Sequence, residues 1–135
     1  MIEYRTGNQI DLDAMIELYV DSTLGARRPV DDRERMRDML ANANLVITAW
    51  DGELLVGIAR SITDFAFATY LSDLAVRLSY QKQGIGKQLM HLTQQAAPRA
   101  LLILLSAPAA QTYYPHAGMT QHPSAWILRQ DERIK

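Results

Sequence analysis

Hydrophobic residues recur along the chain with two periods, and these periods predict where it forms helices and where it forms strands. Residues 12–20 and 85–96 place apolar side chains every three to four positions, as amphipathic helices do. Residues 45–50 and 54–62 flank an Asp-Gly pair, and in the second of these segments apolar residues alternate with smaller or polar ones, which is typical of a β-hairpin. The same criteria predict further strands at residues 2–5, 70–77, 100–105 and 125–129, and further helices at residues 31–40 and 109–114.

The order of these elements, β-α-α-β-β-β-α-β-α-β, predicts an α/β fold with one mixed sheet and helices on both of its faces. The continuous apolar run at residues 100–105 is typical of a central strand covered on both faces. Asp31 precedes Glu34 by three positions, which is the spacing of a helix N-cap and its reciprocal partner. Because the 135 residues contain no linker-like stretch, we expect a single domain over residues 1–135.

Composition and charge narrow the class of protein. Apolar residues make up 48% of the chain and charged residues 21%, which favours a packed core over disorder. A formal net charge of -1 gives no electrostatic reason to expect nucleic acid or an anionic membrane as partner. The absence of cysteine excludes disulfides, thiolate metal sites and a cysteine nucleophile, and the three histidines lack ligand spacing, so we expect no metal. The polar N-terminus and short apolar runs predict a soluble, cytoplasmic protein.

A predicted strand leads through a glycine-rich turn into a predicted helix at residues 74–89, and this segment carries the clearest chemical signal. Gly84 and Gly86 would let the backbone approach a ligand closely at the start of the helix. The amide groups there, together with the helix dipole, form an anion site suited to a pyrophosphate. Lys82 and Lys87 add positive charge beside it.

Two common phosphate-binding motifs do not match this loop. A Walker loop requires glycine where Gln81 stands and serine or threonine where Gln88 stands. A dinucleotide fingerprint requires glycine or alanine at Leu89 and would normally lie in the first βαβ unit. What remains is Q-x-x-G-x-G, preceded by Tyr80 and an apolar strand.

This loop resembles that of the GNAT superfamily of N-acetyltransferases, which reads R/Q-x-x-G-x-G/A and matches here at Gln81, Gly84 and Gly86. The resemblance implies a mostly antiparallel sheet and acetyl-CoA as co-substrate. It further implies that backbone amides of the loop hold the CoA pyrophosphate, at Gln81, Lys82, Gln83, Gly84, Ile85, Gly86 and Lys87. The backbone of the preceding strand, at Leu74, Ala75 and Val76, would pair with the pantetheine arm.

A second match to the family lies at residues 112–119, which resemble its A-x-x-F/Y-Y-x-x-x-G-F segment. Tyr114 falls on the tyrosine that, in the family, protonates the departing CoA thiolate. Two residues depart from the pattern. Ala107 replaces a frequent asparagine, and Pro115 lies inside the predicted short helix, where it could bend the backbone.

The reaction implied is direct transfer of the acetyl group to a primary amine, without a covalent enzyme intermediate. A general base must remove a proton from the amine. Asp73 is the carboxylate on the strand before the loop, although strand alternation leaves open whether it faces the amine or serves a structural role. The alternative bases are Asp64, His116 and His122.

The acceptor side is less marked in the sequence. Arg27 and Arg28 lie in the loop between the first two helices, which in the family often lines the acceptor cleft. Phe65 and Tyr70 are candidates for an aromatic wall, although core packing explains such residues equally well. The expected acceptor is a small-molecule amine, with peptide or protein amines as the alternative. An apolar C-terminal strand with Trp126 would offer a surface for a homodimer.

Two other functions remain open from the sequence. The first is a non-catalytic acyl-CoA-binding or sensor module of the same fold, which the uncertain base and the changes at Ala107 and Pro115 permit. The second is an unrelated α/β protein whose glycine turn binds another phosphate ligand.

Overall fold

The computed structural model describes residues 1–135, except for the side chain of residue 109, and contains one five-stranded sheet. Its strands are β1 (Ile2–Thr6), β2 (Leu45–Asp51), β3 (Leu54–Thr63), β4 (Ala68–Val76) and β5 (Leu101–Ile103). Its helices are α1 (Leu12–Asp21), α2 (Arg33–Ala41), α3 (Ile85–Ala96) and α4 (Tyr113–His116), with 3₁₀ turns at Leu24–Arg27, Leu78–Tyr80 and Pro108–Ala110. Each helix of the described chain is too short or too polar to cross a lipid bilayer.

The strands follow one another in the sheet in chain order. Neighbours from β1 to β4 are antiparallel, whereas β5 runs parallel to β4. This arrangement confirms the predicted fold class, a mixed and mostly antiparallel sheet with flanking helices.

Helices cover both faces of the sheet, as two adjacent residues of β3 show. A Cβ at Gly57 would meet the side chains of Leu89 at 3.1 Å and Ile85 at 3.3 Å, so α3 packs closely on the face to which Gly57 points. The next residue, Ile58, points to the opposite face because strand side chains alternate. There it joins a buried cluster from α1 and α2 that includes Met15, Leu18, Tyr19, Met36 and Leu40.

Aspartates begin both helices on that second face. Asp11 accepts a hydrogen bond from the backbone N–H of Ala14 at 3.1 Å at the start of α1. At the start of α2 the cap is Asp32, which accepts from the N–H of Arg35 at 3.1 Å. The prediction of Asp31 as the cap was therefore wrong by one residue. Asp31 and Asp32 have the same side chain, so the sequence alone does not show which of them caps the helix.

The C-terminal part of the sheet differs from the prediction. The apolar run at residues 100–105 forms only the short strand β5, which lies at the edge of the sheet and leaves Leu101 and Ile103 exposed. The strand predicted at residues 125–129 is not formed in the described chain, and Trp126 is exposed. An apolar run indicates a tendency to form a strand, but it does not supply the neighbouring strands that would bury it.

Contacts divide the chain into two compact units, Met1–Leu105 and Ser106–Lys135. The first holds the whole sheet with α1, α2 and α3, and the second holds α4 and the C-terminal segment. The single domain over residues 1–135 stays a prediction.

Candidate functional site

The edge of β4 that faces β5 is paired over only part of its length. Parallel pairing joins Ala68–Tyr70 to Leu101–Ile103 and ends there. In the described residues no strand continues this pairing along Leu71–Val76, whereas β3 pairs with the other edge of β4 as far as Val76. The backbone of such a half-paired segment can pair with an extended ligand. The residues predicted to bind pantetheine, Leu74, Ala75 and Val76, lie on this segment.

A β-bulge interrupts β4 where the half-paired segment begins. Arg60 pairs with Asp73 and Ser61 pairs with Leu71, which leaves Ser72 as the extra residue. The bulge shifts the alternation of β4 by one position, so that Tyr70 and Asp73 point to the same face of the sheet. That face is the one covered by α1 and α2.

The chain that leaves β4 is fixed to the rest of the first unit before the glycine loop begins. The Arg77 guanidinium donates from Nε to the carbonyl of Leu55 at 2.7 Å and from Nη2 to the Glu17 carboxylate at 2.8 Å. The Tyr80 hydroxyl donates to Asp51 Oδ2 at 2.5 Å, and this bond raises the pKa of Tyr80. These bonds hold the start of the loop against β3, α1 and β2.

The loop itself contains two left-handed backbone conformations. Lys82 has φ of 63°, which costs a non-glycine residue about 1 kcal/mol, and Gly84 has φ of 83°. A Cβ at Gly84 would meet no heavy atom within 4 Å, so its backbone faces open space. The Gln81 side chain donates to the carbonyl of Val76 at 2.9 Å and braces the loop against the end of β4.

Gly84 is also the N-cap of α3, and the amino end of this helix is exposed. The first hydrogen bond of the helix runs from the N–H of Gln88 to the carbonyl of Gly84, at 3.0 Å. The amides of residues 85–87 therefore have no acceptor within the helix. They carry the positive end of the helix dipole, and the exposed side chains of Lys82 and Lys87 lie in the same short segment. The arrangement suits a ligand with two linked phosphates.

The Asp73 carboxylate lies in a buried polar network. It accepts hydrogen bonds from the side chains of Tyr19, Arg28, Arg60 and Ser72, and it is 0% exposed. Burial alone would raise the pKa of Asp73, but the hydrogen bond and charge of Arg60, together with Tyr19 and Arg28, outweigh burial and lower it. The ionised carboxylate therefore stabilises the fold above its ordinary pKa of about 3.9. That stabilisation is lost as the pH falls through the lowered value.

Neither carboxylate considered as a base is placed to accept a proton near neutral pH. Asp73 is already surrounded by donors. Asp64 accepts three backbone N–H bonds, from Ala66, Phe67 and Ala68, and these bonds lower the pKa of Asp64 to about 2. The contacts of Asp73 favour the structural role that the sequence pattern left open beside that of the base.

The predicted acceptor residues differ in their surroundings. Arg28 contacts Asp73, with 2.6 Å between Nε and Oδ1, so its guanidinium is engaged within the protein. Arg27 is exposed, and Phe65 is an exposed residue of the β3–β4 turn with φ of 58°. Tyr70 is exposed on the same face of the sheet as Asp73.

Two residues of the buried network were missed by reasoning from the sequence. Arg60 is the only charged residue in the predicted strand at residues 54–62, and a charge in an apolar strand signals a buried partner. Tyr19 gave no such signal, because it fits the apolar stripe of α1 and only its hydroxyl reaches Asp73, at 2.6 Å.

Tyr114 belongs to the second unit, Ser106–Lys135. It lies half-buried in α4, and its ring contacts that of Tyr113 edge-on, with 5.3 Å between centroids. Pro115 does not break this helix. It occupies the first turn, where a backbone N–H has no partner within the helix, so the missing donor costs no helical bond.

A separate groove of about 600 Å³ is lined by residues 5–11 with Thr48 and Trp50. The Arg5 guanidinium lies 4.6 Å from the centroid of the Trp50 ring there. None of the predicted site residues lines this groove. Within the described residues, no cluster of three or more histidine, aspartate or glutamate side chains could hold a metal ion.

The chain is similar to known acetyltransferases in sequence and in fold. An uncharacterized N-acetyltransferase of Prochlorococcus marinus, described as ycf52-like, is 26% identical over 128 residues, which are 90% of this chain and 67% of that protein. A GNAT family acetyltransferase from Streptococcus pneumoniae shares the fold with a TM-score of 0.77 and 24% identity, over 96% of this chain and 100% of that one. The aminoglycoside N-acetyltransferase AAC(6')-Iy, solved in complex with CoA, gives a TM-score of 0.73 and 17% identity, over 97% and 95% of the two chains.

The family itself is shown by the match to the acetyltransferase (GNAT) domain, which extends over residues 22–126 and so includes both the glycine loop and Tyr114. Because this match covers well over half of the sequence, the chain belongs to the GNAT family of acetyltransferases.

Proposed function

We propose that this chain is an acetyl-CoA-dependent N-acetyltransferase that transfers the acetyl group directly to a primary amine on a small molecule. The observation that carries the proposal is the exposed amino end of α3, which the glycine loop joins to the half-paired segment of β4. One feature suits a pyrophosphate and the other suits an extended amide chain, and CoA contains both. The relative named an N-acetyltransferase supports this interpretation, although this chain spans only 67% of its length.

The residues of the first unit would divide the binding of acetyl-CoA between them. The amides at Gln81–Lys87 would hold the pyrophosphate, with the side chains of Lys82 and Lys87 adding charge. The backbone of Leu74, Ala75 and Val76 would pair with the pantetheine arm. This division fits the structure, because Arg77 and Tyr80 anchor the chain that leads from β4 into the loop.

The chemistry needs no covalent intermediate. The nitrogen of the amine attacks the thioester carbonyl, the new C–N bond forms, and the C–S bond breaks as the thiolate leaves. Tyr114 would give its proton to the thiolate, and the proton that the amine nitrogen loses would pass through water to the tyrosinate, so that one proton moves overall from the amine to the thiolate. Holding both substrates in reacting geometry supplies much of the rate acceleration.

An apolar row beside the half-paired segment is our candidate wall for the acceptor. Ile62, Tyr70 and Ile103 lie directly opposite one another across β3, β4 and β5, and they are 50%, 38% and 44% exposed. Tyr70 and Ile103 form the last β4–β5 pair, so the row lies next to the start of the half-paired segment. The thioester of a CoA molecule paired with Leu74–Val76 would lie beside this row. We propose that the non-reacting part of the acceptor rests on this row, with Phe65 at its margin in the β3–β4 turn.

We predict that the rate will depend on the pKa of the acceptor and not on the titration of Asp64 or Asp73. The lowered pKa values of Asp64 and Asp73 leave both ionised at neutral pH, where they have little basicity. The protonated amine cannot attack, so kcat/KM should fall as the pH drops below the pKa of the amine. The measurement is the pH profile of kcat/KM for one acceptor and for its fluorinated analogue, whose amine pKa is lower.

For the fluorinated analogue the break in the profile should move to lower pH by the difference between the two amine pKa values. A break on the acidic side of the profile at one fixed pH for both acceptors would contradict this prediction, since it would report a base on the enzyme.

The unusual placement of Asp73 also favours a second candidate, a non-catalytic acyl-CoA-binding module. Such a protein would need the glycine loop but no base. It would bind acetyl-CoA without transferring the acetyl group to any amine.

Isothermal titration with acetyl-CoA, with ATP and NAD as controls, tests both candidates. Selective binding of acetyl-CoA followed by acetylation within a panel of polyamines, arylalkylamines, aminoglycosides, amino acids and peptides would support the transferase. Binding without transfer to any of them would favour the module. Preferential binding of ATP or NAD would contradict both.

A further inference from the structure

We propose that Asp73 is a positioning residue, which acts through Arg28 and Arg60 to hold the Ser72 bulge and so directs the half-paired segment of β4. The role concerns the reaction given above and rests on that proposed function. It assigns Asp73 a task in catalysis without contact with the amine or its proton.

The first observation is that the carboxylate is fully engaged. Oδ2 accepts from the Tyr19 hydroxyl at 2.6 Å and from Arg60 Nε at 2.5 Å. Oδ1 accepts from Arg28 Nε at 2.6 Å and from the Ser72 hydroxyl at 3.2 Å. A carboxylate with four donors and no exposed surface is placed to fix its neighbours rather than to exchange protons with a ligand.

The second observation is where the two arginines point next. Arg28 Nη2 donates to the carbonyl of Ser72 at 2.7 Å, and Arg60 Nη2 donates to the Ser72 hydroxyl at 2.9 Å. Ser72 is the bulged residue, which has no opposite partner in β3. Its carbonyl and its side chain are each held by a guanidinium that Asp73 orients through Nε. The planar fork of arginine fixes direction in a way that a lysine cannot.

The same guanidinium groups tie the bulge to the surrounding helices. Arg60 Nη1 donates to the carbonyl of Met39 in α2 at 3.0 Å, and Arg28 Nη1 donates to the carbonyl of Arg27 at 2.8 Å. The cluster contains two cations and one anion, and the Arg60 side chain is only 7% exposed. Removing the charge of Asp73 would leave two largely buried guanidinium groups facing each other, and both would have to move.

Ser72 occupies the position where such a movement would reach the reaction. It lies between the last β4–β5 pair, Tyr70 and Ile103, and the segment Leu74–Val76 that would carry the pantetheine. Rotation of the bulge would turn that segment relative to α1 and α2, and with it the direction in which the thioester is presented. Small displacements of reacting groups have large kinetic effects.

The test compares Asp73→Asn and Arg28→Lys with the matched variants Asp13→Asn and Arg33→Lys, which alter an exposed ion pair on α1 and α2. We expect both network variants to lower kcat about tenfold, because the reacting groups are misaligned. The Kd for CoA should change less than kcat does, because the hydrogen bonds of the network do not involve the loop at Gln81–Lys87, and only the pairing of the pantetheine with Leu74–Val76 would be disturbed. The pH profile should keep its shape, and the Asp13 and Arg33 variants should match wild type.

Hydrogen exchange provides a second readout that does not depend on activity. The amides of residues 72–74 should exchange faster in both network variants, while those of α3 should be unchanged. Arg28→Lys keeps the charge at a side chain that is 20% exposed, so it serves if Asp73→Asn does not fold.

The following results would contradict the proposed role of Asp73. Unchanged exchange at residues 72–74, or faster exchange with unchanged kcat, would overturn it. Loss of the pH dependence in Asp73→Asn would also overturn it, because Asp73 would then be the base. If the wild-type protein transferred no acetyl group, the proposed function would fail, and exchange alone would decide whether the network holds the bulge.

Discussion

Replacement of Gly84 by glutamate is expected to abolish binding of acetyl-CoA. Gly84 has φ of 83° and is the N-cap of α3, so a side chain here strains the backbone by about 1 kcal/mol or more. It also places a carboxylate where the amides of residues 85–87 would receive the pyrophosphate. Repulsion between the anions adds to the strain, and we expect the Kd to rise by more than about 100-fold, which titration calorimetry would measure.

Two control variants separate the causes of this loss. Gly84→Ala introduces the strain without the charge, and its Cβ would meet no atom within 4 Å, so it should weaken binding only about tenfold. Gly52→Glu places the same side chain at another open glycine with positive φ, in the β2–β3 turn, and should bind acetyl-CoA like wild type. Wild-type affinity in Gly84→Glu would show that the loop is not the CoA site. Gly86→Glu, within the first turn of α3, should behave as Gly84→Glu does.

The sequence predicted those elements whose signal is local. The stripe at residues 85–96 became α3 (Ile85–Ala96), and the alternation around the Asp-Gly pair became the β2–β3 hairpin. The glycine loop lies between β4 and α3, as its residues indicated. Periodicity, caps and turn residues are properties of neighbours in the chain, so one sequence is enough to read them.

The bulge at Ser72 could not be predicted in this way. A bulge is a property of two strands in register, and β4 alone gives no sign of it. Strand alternation alone would place Tyr70 and Asp73 on opposite faces, whereas the bulge turns them to the same face. The direction in which Asp73 points, which the sequence left open, is therefore settled by pairing with β3.

The short strand β5 shows a different limit. Its apolar residues fit a buried strand, but burial depends on a neighbour, and the segment at residues 125–129 forms no strand in the described chain. The hydrophobicity of a segment does not determine which other segment of the chain buries it. For the same reason, the homodimer predicted from Trp126 remains a prediction.

Buried charge links the fold to the proposed chemistry. The Asp73 carboxylate on β4 accepts hydrogen bonds from Arg60 of β3 and from Arg28, which follows the 3₁₀ turn at Leu24–Arg27. It also accepts one from the hydroxyl of Tyr19 in α1. Burial and the charge of Asp73 raise the pKa of Tyr19 well above its ordinary value, so this hydroxyl stays a donor. The network is therefore fixed in one protonation state at neutral pH. Proton transfer during the reaction must involve other groups.

Tyr114 is the group to which we assign one of those transfers, and Tyr114→Phe should lower kcat by roughly 100-fold. The hydroxyl would protonate the thiolate as the C–S bond breaks, and phenylalanine keeps the ring but not the proton. The edge contact with Tyr113, at 5.3 Å between centroids, can be retained by a phenylalanine ring, so α4 should remain folded. The Kd for acetyl-CoA should stay within about twofold, since the ground state is not affected by the loss of an acid.

Tyr113→Phe is the matched control, because it removes a hydroxyl from the adjacent residue of the same helix. It should leave kcat within about twofold of wild type, the range of a substitution that touches no reacting group. Single-turnover rates measure the chemical step directly, so slow product release cannot hide an effect. Equal single-turnover rates for Tyr114→Phe and wild type would reduce Tyr114 to a packing residue. A fall confined to Tyr114→Phe would support the assignment of its hydroxyl as the acid, because the control removes the hydroxyl of the neighbouring tyrosine.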